Sequence, residues 1–408
     1  LHWYPAAGPA SVSAWVASAS SSISQRRAGR GGEGVRLVVS GGGTGGHIYP
    51  AISVAKYVTE HQPDASVTFI GSSAGPEAAA ARDAGIPFEG LDVEGVAGRG
   101  FARALRASLK FLAASLRCRR MLKQLDADCV LGTGGYASAP ACLAALTLRK
   151  PLVLHEMNYE PGLVTKLFSR CARAIALAYE DTVPLLPKRA RKVVTGVPVR
   201  PDIEAIADAA QRERARNEAV ELFGLEKERR TLLVFGGSQG AEALNAAVWS
   251  ALPALAGNEG LQLLHLTGRK NFDLAEREDA ENSLAGGALI YRPVDYLERM
   301  DRAYAVADIA LSRAGAGTIA ELMAVGLPAV LVPFPYAGGH QEKNARALEA
   351  SGAVKVVTQA GGSADAGMAE AIRVIEEGPT LEKMKGAAGA VARPGGAKGI
   401  AQLLEELR

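Results

Sequence analysis

A strand-like run, Val35-Arg36-Leu37-Val38-Val39-Ser40, leads into Gly41-Gly42-Gly43-Thr44-Gly45-Gly46-His47, and a helical pattern begins near Ile48. Backbone without side chains there meets a helix N-terminus, where free N–H groups and the helix dipole favour a bound diphosphate. Gly41, Gly43 and Gly46 satisfy the G-x-G-x-x-G pattern of dinucleotide sites. The second strand, Ser66-Val67-Thr68-Phe69-Ile70, ends in Gly71-Ser72-Ser73 and lacks the acidic residue that would hold an adenosine ribose, which argues against NAD or FAD. His47 adds an imidazole to the turn, able to take or give a proton near neutral pH. A second glycine turn, Gly236-Gly237-Ser238-Gln239-Gly240, follows the run 231–235 far down the chain and again precedes a helical pattern, from about Ala241.

The elements that must position these turns alternate. Short β-branched runs at 35–40, 66–70, 129–131, 152–154, 174–177 and 192–194 are separated by helical stretches, which reads as an open parallel sheet with ligands at the carboxyl ends of its strands. A charged helical stretch from Gln211 to Arg230 follows, and then runs at 231–235, 261–266, 288–291, 309–311, 329–332 and 354–357 make a second series. The 408 residues therefore divide into two Rossmann-like halves. Aromatic content of 5% with 46 glycines suits helices packed closely on parallel sheets. A net charge of +3 does not point to nucleic acid. Cys118, Cys129, Cys142 and Cys171 lack C-x-x-C spacing, so neither a zinc site nor a disulfide framework is indicated, and a reducing compartment fits.

Residues 129–148 carry no charge, but Gly132, Gly134, Gly135, Ser138 and Pro140 interrupt them, against a spanning helix. In residues 1–25 the order of apolar and basic groups is wrong for a signal peptide, because Arg26, Arg27 and Arg30 follow the apolar part. The first methionine is Met121, and residues 1–34 are expected to be a disordered or non-native extension ahead of a fold beginning at Val35.

Seven blocks occur in one order: Gly42-Gly43-Thr44-Gly45-Gly46-His47, Gly132-Thr133-Gly134-Gly135-Tyr136, His155-Glu156-Met157-Asn158, Pro198-Val199-Arg200, Gly236-Gly237-Ser238-Gln239-Gly240, Ser312-Arg313-Ala314-Gly315-Ala316, and Gln341 with Asn344. In this the chain resembles the MurG family, the peptidoglycan N-acetylglucosaminyltransferases that convert lipid I to lipid II, over essentially residues 35–400. The resemblance implies an α/β GT-B fold, two Rossmann-like domains facing across a cleft. It implies an acceptor and membrane domain at 35–198, a UDP-sugar domain at 199–385, and a C-terminal helix, 386–408, packing back on the first domain. The implied substrates are UDP-N-acetylglucosamine and an undecaprenyl-diphosphate-linked muramoyl pentapeptide, with no cofactor. The implied place is the cytoplasmic face of the cell membrane, held peripherally, with room for cell-wall assembly proteins as partners.

Carried over residue by residue, Thr44, Gly45, Gly46 and Asn158 match donor-site positions of the N-terminal domain. Arg200 and Ser238 match positions near the nucleotide phosphates. Leu297 matches the position whose backbone reads the uracil edge. The segment Ala316-Gly317-Thr318-Ile319-Ala320 matches the helix start at the diphosphate, with Thr318 as hydroxyl donor. Glu321 matches the acceptor of both ribose hydroxyls, and Gln341 a side chain that binds sugar hydroxyls. Taken singly, Glu321 reads as a helix-dipole partner, and Arg200 and Gln341 as solvated surface; their joint occurrence in register ties them to a site.

Direct displacement at the sugar needs a base, for which His47 is the candidate and Glu156 the rival, with capping or binding of the acceptor diphosphate as the other role for His47. Ala314, Ala320, Met157 and Gly338-Gly339 depart from common family residues. Asp126-Ala127-Asp128 has the D-x-D form by which another glycosyltransferase class holds a metal, yet it lies at the amino end of strand 129–131, so a helix-to-strand connection is expected. With no cluster at metal spacing, helix dipoles and Arg200 are expected to stabilise leaving UDP. A UDP-sugar 2-epimerase, a natural-product glycosyltransferase and a non-catalytic nucleotide-sugar scaffold remain as alternatives. Between Glu94 and Asp126, Arg99, Arg103, Arg106, Lys110, Arg117, Arg119, Arg120 and Lys123 interleave with Phe101, Leu105, Leu109, Leu112 and Leu116, the pattern of either an anionic-membrane surface or a core-facing helix with a basic rim.

Overall fold

The computed structural model describes residues 34–93, 101–236, 241–274, 287–334, 339–358 and 364–407, with backbone alone for 101–106. Residues 1–33, and with them nearly all of the proposed extension, lie outside it. The first sheet contains β1 (Arg36–Ser40), β2 (Ser66–Ser72), β3 (Phe88–Leu91), β4 (Cys129–Gly132), β5 (Leu152–Glu156), β6 (Ala174–Leu177) and β7 (Lys192–Val194). The second contains β8 (Arg230–Phe235), β9 (Leu261–Leu266), β10 (Ile290–Val294), β11 (Ile309–Ser312), β12 (Ala329–Leu331) and β13 (Val354–Val356). Strand orders are β3-β2-β1-β4-β5-β6-β7 and β10-β9-β8-β11-β12-β13, and all pairings are parallel. Each order reverses beside its first strand, between β1 and β4 and between β8 and β11, and this opens a crevice at the strand ends where ligands bind. The first glycine turn follows β1; residues 237–240 of the second glycine segment, which come after β8 in the chain, lie outside the described residues.

Alternation explains why the strands sit between helix layers. Leu37 and Val39 pack with the helix Gly45–His61, whereas Val38 packs with the opposite layer, including Cys118 and Leu122. Leu233 and Phe235 likewise face one layer of the second domain, Leu232 and Val234 the other. Both faces being covered, the strands read as nearly continuous apolar runs.

Most runs expected from sequence form strands within a residue or two, and the differences have local causes. The edge strand β3 escaped notice because Phe-Glu-Gly-Leu is short, interrupted by Gly, and half exposed. β10 starts later than expected and runs through Pro293, which an edge position tolerates because one side of the strand needs no N–H donor. The charged helix spans Ala209–Phe223 instead of reaching Arg230. Asp208 caps it, accepting from Ala210 N (3.1 Å) and Gln211 N (3.0 Å), and Gly224, at φ 59°, ends it.

Asp126 and Asp128 both pair with Arg36, at 2.7 and 3.1 Å, and connect the end of the helix Phe101–Gln124 to β4. They brace the sheet at its amino end. The last helix, Gly396–Leu407, sets Ile400, Leu403 and Leu404 against the helix Gly45–His61 in the first domain's core. Three fully buried aliphatic side chains of this kind contribute several kcal/mol, about 1.5–3 each.

Candidate active site

Two helix N-termini meet where the crevices open toward each other. The helix Gly45–His61 begins beyond β1 and the helix Ala316–Val325 beyond β11, and a Cβ built on Gly317 would lie 3.9 Å from Gly46 Cα. In the first, Gly42 N donates to Gly134 O (3.3 Å) and Gly43 N to Glu77 Oε1 (2.8 Å), whereas the N–H groups of Thr44, Gly45 and Gly46 have no acceptor among the described residues. In the second, the first intrahelical bond is Ile319 N to Gly315 O (2.9 Å), which leaves the amides of Ala316, Gly317 and Thr318 likewise unmatched. Two sets of unpaired donors at positive dipole ends thus converge on one space, suited to anionic oxygens.

His47 is held by the turn after β4. Its Nδ1 lies 2.8 Å from Thr133 O, and because a carbonyl only accepts, Nδ1 carries the proton and Nε2 presents the lone pair. The Thr133 hydroxyl donates to His47 O (2.6 Å). Gly134 and Gly135 adopt φ of 99° and 74°, and a Cβ on Gly135 would stand 1.9 Å from Gly42 O, so only glycine lets the two turns interlock. Burial lowers the His47 pKa below 6.5, against the Thr133 bond and the nearby Glu156 charge, which raise it. The ring is therefore neutral near pH 7.

Glu156, the rival base, is differently employed. Its Oε1 accepts from Asn158 N (3.0 Å) and Asn158 Nδ2 (3.1 Å), and its Oε2 from Gly162 N (2.8 Å). Asn158 in turn accepts at Oδ1 from Asn344 Nδ2 (3.1 Å), and Asn344 Oδ1 accepts from Tyr159 N (2.9 Å), which ties the two domains together. Lys343 and Glu160 pair across the same junction at 2.7 Å. Both Glu156 and Asn158 thus belong to a hydrogen-bonded brace at the domain junction.

Glu321 lies five residues into its helix. Tyr304 O–H donates to its Oε2 (2.7 Å), and Arg200 Nε stands 3.9 Å from its Oε1. Burial pushes the Glu321 pKa up, while Arg200 and the Tyr304 bond pull it down. Arg200 also donates through Nη1 to Glu298 O (2.8 Å), which places its charge beside Glu321 and anchors the loop that carries Leu297. Leu297 packs its side chain on the second domain's core, and its backbone N–H and C=O have no partner among the described residues. Ile319 is buried, Ala320 half-buried, and the Thr318 hydroxyl lies near the helix start. Gln341, in the helix His340–Glu349, accepts at Oε1 from Phe334 N (2.9 Å), and its amide nitrogen has no acceptor among the described residues. Ser238 lies outside the described residues.

Sequence reasoning passed over Tyr304, whose distance in sequence from Glu321 hides the contact, and Tyr49, on the first domain's helix, whose phenol is pushed up by burial and also feels the charges of Arg200 and Glu321 in the second domain. It also passed over Glu77. Two concave surfaces of about 690 and 730 Å³ lie elsewhere, one along β13 and one at the amino ends of β5 and β6, and include none of these side chains.

This arrangement defines a two-domain, GT-B-type nucleotide-sugar enzyme. Residues 37–177 match the glycosyltransferase family 28 N-terminal domain, and residues 231–400 the glycosyltransferase family 28 C-terminal domain. The chain belongs to glycosyltransferase family 28 and, within it, to the MurG family. It is 36% identical over 361 residues, 88% of this chain and 96% of the relative, to the UDP-N-acetylglucosamine--N-acetylmuramyl-(pentapeptide) pyrophosphoryl-undecaprenol N-acetylglucosamine transferase of Desulfitobacterium hafniense. With the protein of the same name from Nitratidesulfovibrio vulgaris it shares 38% over 373 residues, 91% of this chain and 97% of the relative. The crystal structure of Acinetobacter baumannii MurG superposes with a TM-score of 0.72 at 30% identity, covering 92% of this chain and all of that one. A UDP-GlcNAc 2-epimerase from Neisseria meningitidis, at 16% identity and a TM-score of 0.63, shares the fold.

Proposed function

We propose that this protein transfers N-acetylglucosamine from UDP-N-acetylglucosamine to the C4 hydroxyl of the muramoyl sugar of lipid I, with inversion, to form lipid II. The acceptor oxygen bonds to the sugar C1, the C1–O bond to the diphosphate breaks, UDP departs, and the hydroxyl proton passes to His47 Nε2. The observation that carries this reading is the convergence of two sets of unpaired helix-start amides, with a neutral imidazole on one side and a carboxylate suited to ribose on the other. Donors already aimed at the diphosphate cost no reorganisation as charge develops there. Thr44, Gly45 and Gly46 meet the substrates from the first domain. Ala316, Gly317 and Thr318 hold the UDP diphosphate, Glu321 the ribose and Leu297 the uracil edge. Ser238, Gln341 and Asn158 complete the donor site, Asn158 while also joining the domains. Arg200 acts at the ribose end, through its charge beside Glu321 and its hold on the Leu297 loop. Glu156 keeps the brace rather than taking the proton. The domain division follows at 198/199, and the return to the first domain is narrower than the expected 386–408: Gly396–Leu407 makes it, whereas 386–391 end the helix Gly378–Val391, whose Ala388 lies in the second domain's core.

Labelled UDP-N-acetylglucosamine with a short-chain lipid I analogue should yield labelled lipid II. Absence of transfer together with appearance of UDP-N-acetylmannosamine would instead mark an epimerase.

The enzyme reaches its lipid substrate from the membrane surface, on the cytoplasmic face. No described helix is long and apolar enough to cross a membrane. The helix Phe101–Gln124 turns Ala107, Ala114, Cys118, Met121 and Leu122 inward, whereas Leu109, Leu112 and Leu116 are 61%, 54% and 53% exposed. Its leucine stripe is therefore not its core face. Leu163 and Leu167, on the helix Leu163–Phe168, add further exposed apolar surface that the sequence pattern had not singled out. Arg117, Arg120 and Lys123 are exposed on the same long helix, while Arg99 and the side chains of Arg103 and Arg106 lie outside the described residues. Apolar side chains entering the acyl boundary and cations on anionic head groups would hold such a surface in place. Replacing Arg117, Arg120 and Lys123 together with Glu should weaken sedimentation with anionic vesicles on the order of a hundredfold, at about 1 kcal/mol per cation, without altering UDP affinity. Unchanged vesicle binding would remove this helix from the membrane contact.

A further inference from the structure

A carboxylate lies beneath the first glycine turn with no solvent contact. Glu77, the first residue of the helix Glu77–Asp83, is 0% exposed, and its Oε1 accepts the Gly43 N–H at 2.8 Å. Its Oε2 is equally buried and has no hydrogen-bond partner among the described residues. Three glycines make room for the group. A Cβ on Gly42 would stand 2.0 Å from Oε1, one on Gly75 1.8 Å from Oε2, and one on Gly71 3.1 Å from Glu77 Cβ. A buried, half-satisfied carboxylate costs free energy wherever it sits, so its presence calls for a use.

The turn's own hydrogen bonds point to that use. Gly43, at φ 85°, directs its N–H inward to Glu77, and Gly42 directs its N–H to Gly134 O. The next three amides, those of Thr44, Gly45 and Gly46, are the ones left without an acceptor at the helix start. One buried oxygen thereby fixes where the chain stops pairing inward and begins to face the cleft. We propose that Glu77 is a positioning residue of the transfer reaction: by holding the Gly43 amide it sets the glycine turn so that the amides of Thr44–Gly46, and His47 after them, meet the substrates. It touches no substrate and acts only through the turn. The proposal rests on the reading that this turn faces the reacting groups.

Three single variants, one double variant and one control test it, each with transfer kinetics, UDP titration calorimetry and thermal melting. E77A should lower kcat/KM by about tenfold to a hundredfold, the scale expected when reacting groups are misplaced by an ångström or less, while UDP, held chiefly by the second domain, loses far less affinity than that. E77Q, which keeps an acceptor for Gly43, should restore most of that loss. G75A lies outside the turn and reaches it only by displacing the Glu77 carboxylate, so it should lower kcat/KM like E77A and have no further effect in the E77A background. Should E77A fail to fold, G75A carries the test alone. Normal kcat/KM in E77A or G75A, additive losses in the double variant, or parallel loss of UDP affinity would overturn the proposal. The control is G46A, whose added Cβ would make only ordinary contacts, the nearest being Met157 Sδ at 3.4 Å. If G46A transfers normally, the turn does not face the reacting groups and that reading fails; if G46A is impaired and E77A is not, the role of Glu77 alone fails.

Discussion

Replacing His47 with Ala is expected to lower turnover by about two to four orders of magnitude, the usual range for a positioned general base, while UDP affinity stays near that of the native protein. The geometry gives the expectation its direction. Thr133 O takes the Nδ1 proton, so the only imidazole lone pair is on Nε2. Burial keeps the ring neutral, its pKa lying below 6.5. A base is competent above its pKa and lost below it, so native kcat/KM should fall on the acidic side with a midpoint under 6.5, and that limb should vanish in the Ala variant. Near-normal turnover in His47→Ala would leave the ring a role in binding alone and return Glu156 to consideration. Glu156 starts from a weaker position, because its two oxygens already accept three N–H bonds that shape residues 156–162. Freeing one for a substrate hydroxyl would leave a donor unmatched in a half-buried loop.

What the sequence could disclose depended on whether the cause was local. Strand positions followed from short, nearly continuous apolar runs set between helical stretches, and the glycine turns from residues that only a special backbone requires, so the two Rossmann-like halves were legible in the sequence. Partners across long sequence gaps were not. Asn158 and Asn344 both stood out by motif, but their mutual bond joins positions 186 apart and belongs to the packing of one domain on the other. Tyr304 is an ordinary aromatic in sequence, and only the turn of its helix brings its hydroxyl to Glu321. The leucines of the helix Phe101–Gln124 show the converse. Their spacing fits a buried stripe or an exposed one equally well, and what decides is that the small residues Ala107, Ala114 and Cys118 lie on the other face, where they let the helix approach its neighbour Ala139–Thr147 closely. Glu77 was overlooked because a Glu near a helix start normally serves the dipole in solvent, and the amide it accepts from, that of Gly43, lies 34 residues away.

Glu321→Ala is expected to weaken UDP binding by about 1.5 to 3 kcal/mol, on the order of ten- to a hundredfold, because two ribose hydroxyls lose a charged acceptor. The surroundings sharpen this expectation. Tyr304, 2% exposed, has its phenol pushed well up by burial, so it stays a neutral O–H donor to Oε2 at any working pH and holds the carboxylate in one orientation. Tyr304→Phe should therefore weaken UDP binding by less, about 1 kcal/mol, through orientation alone. Burial raises the Glu321 pKa above 4.5, so the ionised acceptor is complete well above that shifted pKa and is lost as pH falls through it. UDP affinity should accordingly decline on acidification at a higher pH than an ordinary glutamate would give, and Glu321→Gln should abolish that dependence while retaining one acceptor oxygen. Removing Glu321 also leaves Arg200 without the carboxylate 3.9 Å from its Nε, and that charge, freed toward the cleft, would offset part of the loss by attracting the diphosphate. Calorimetry on Glu321→Ala, Arg200→Ala and the double variant separates the two contributions. Unchanged UDP affinity in Glu321→Ala with Arg200 also replaced would exclude the carboxylate from ribose binding.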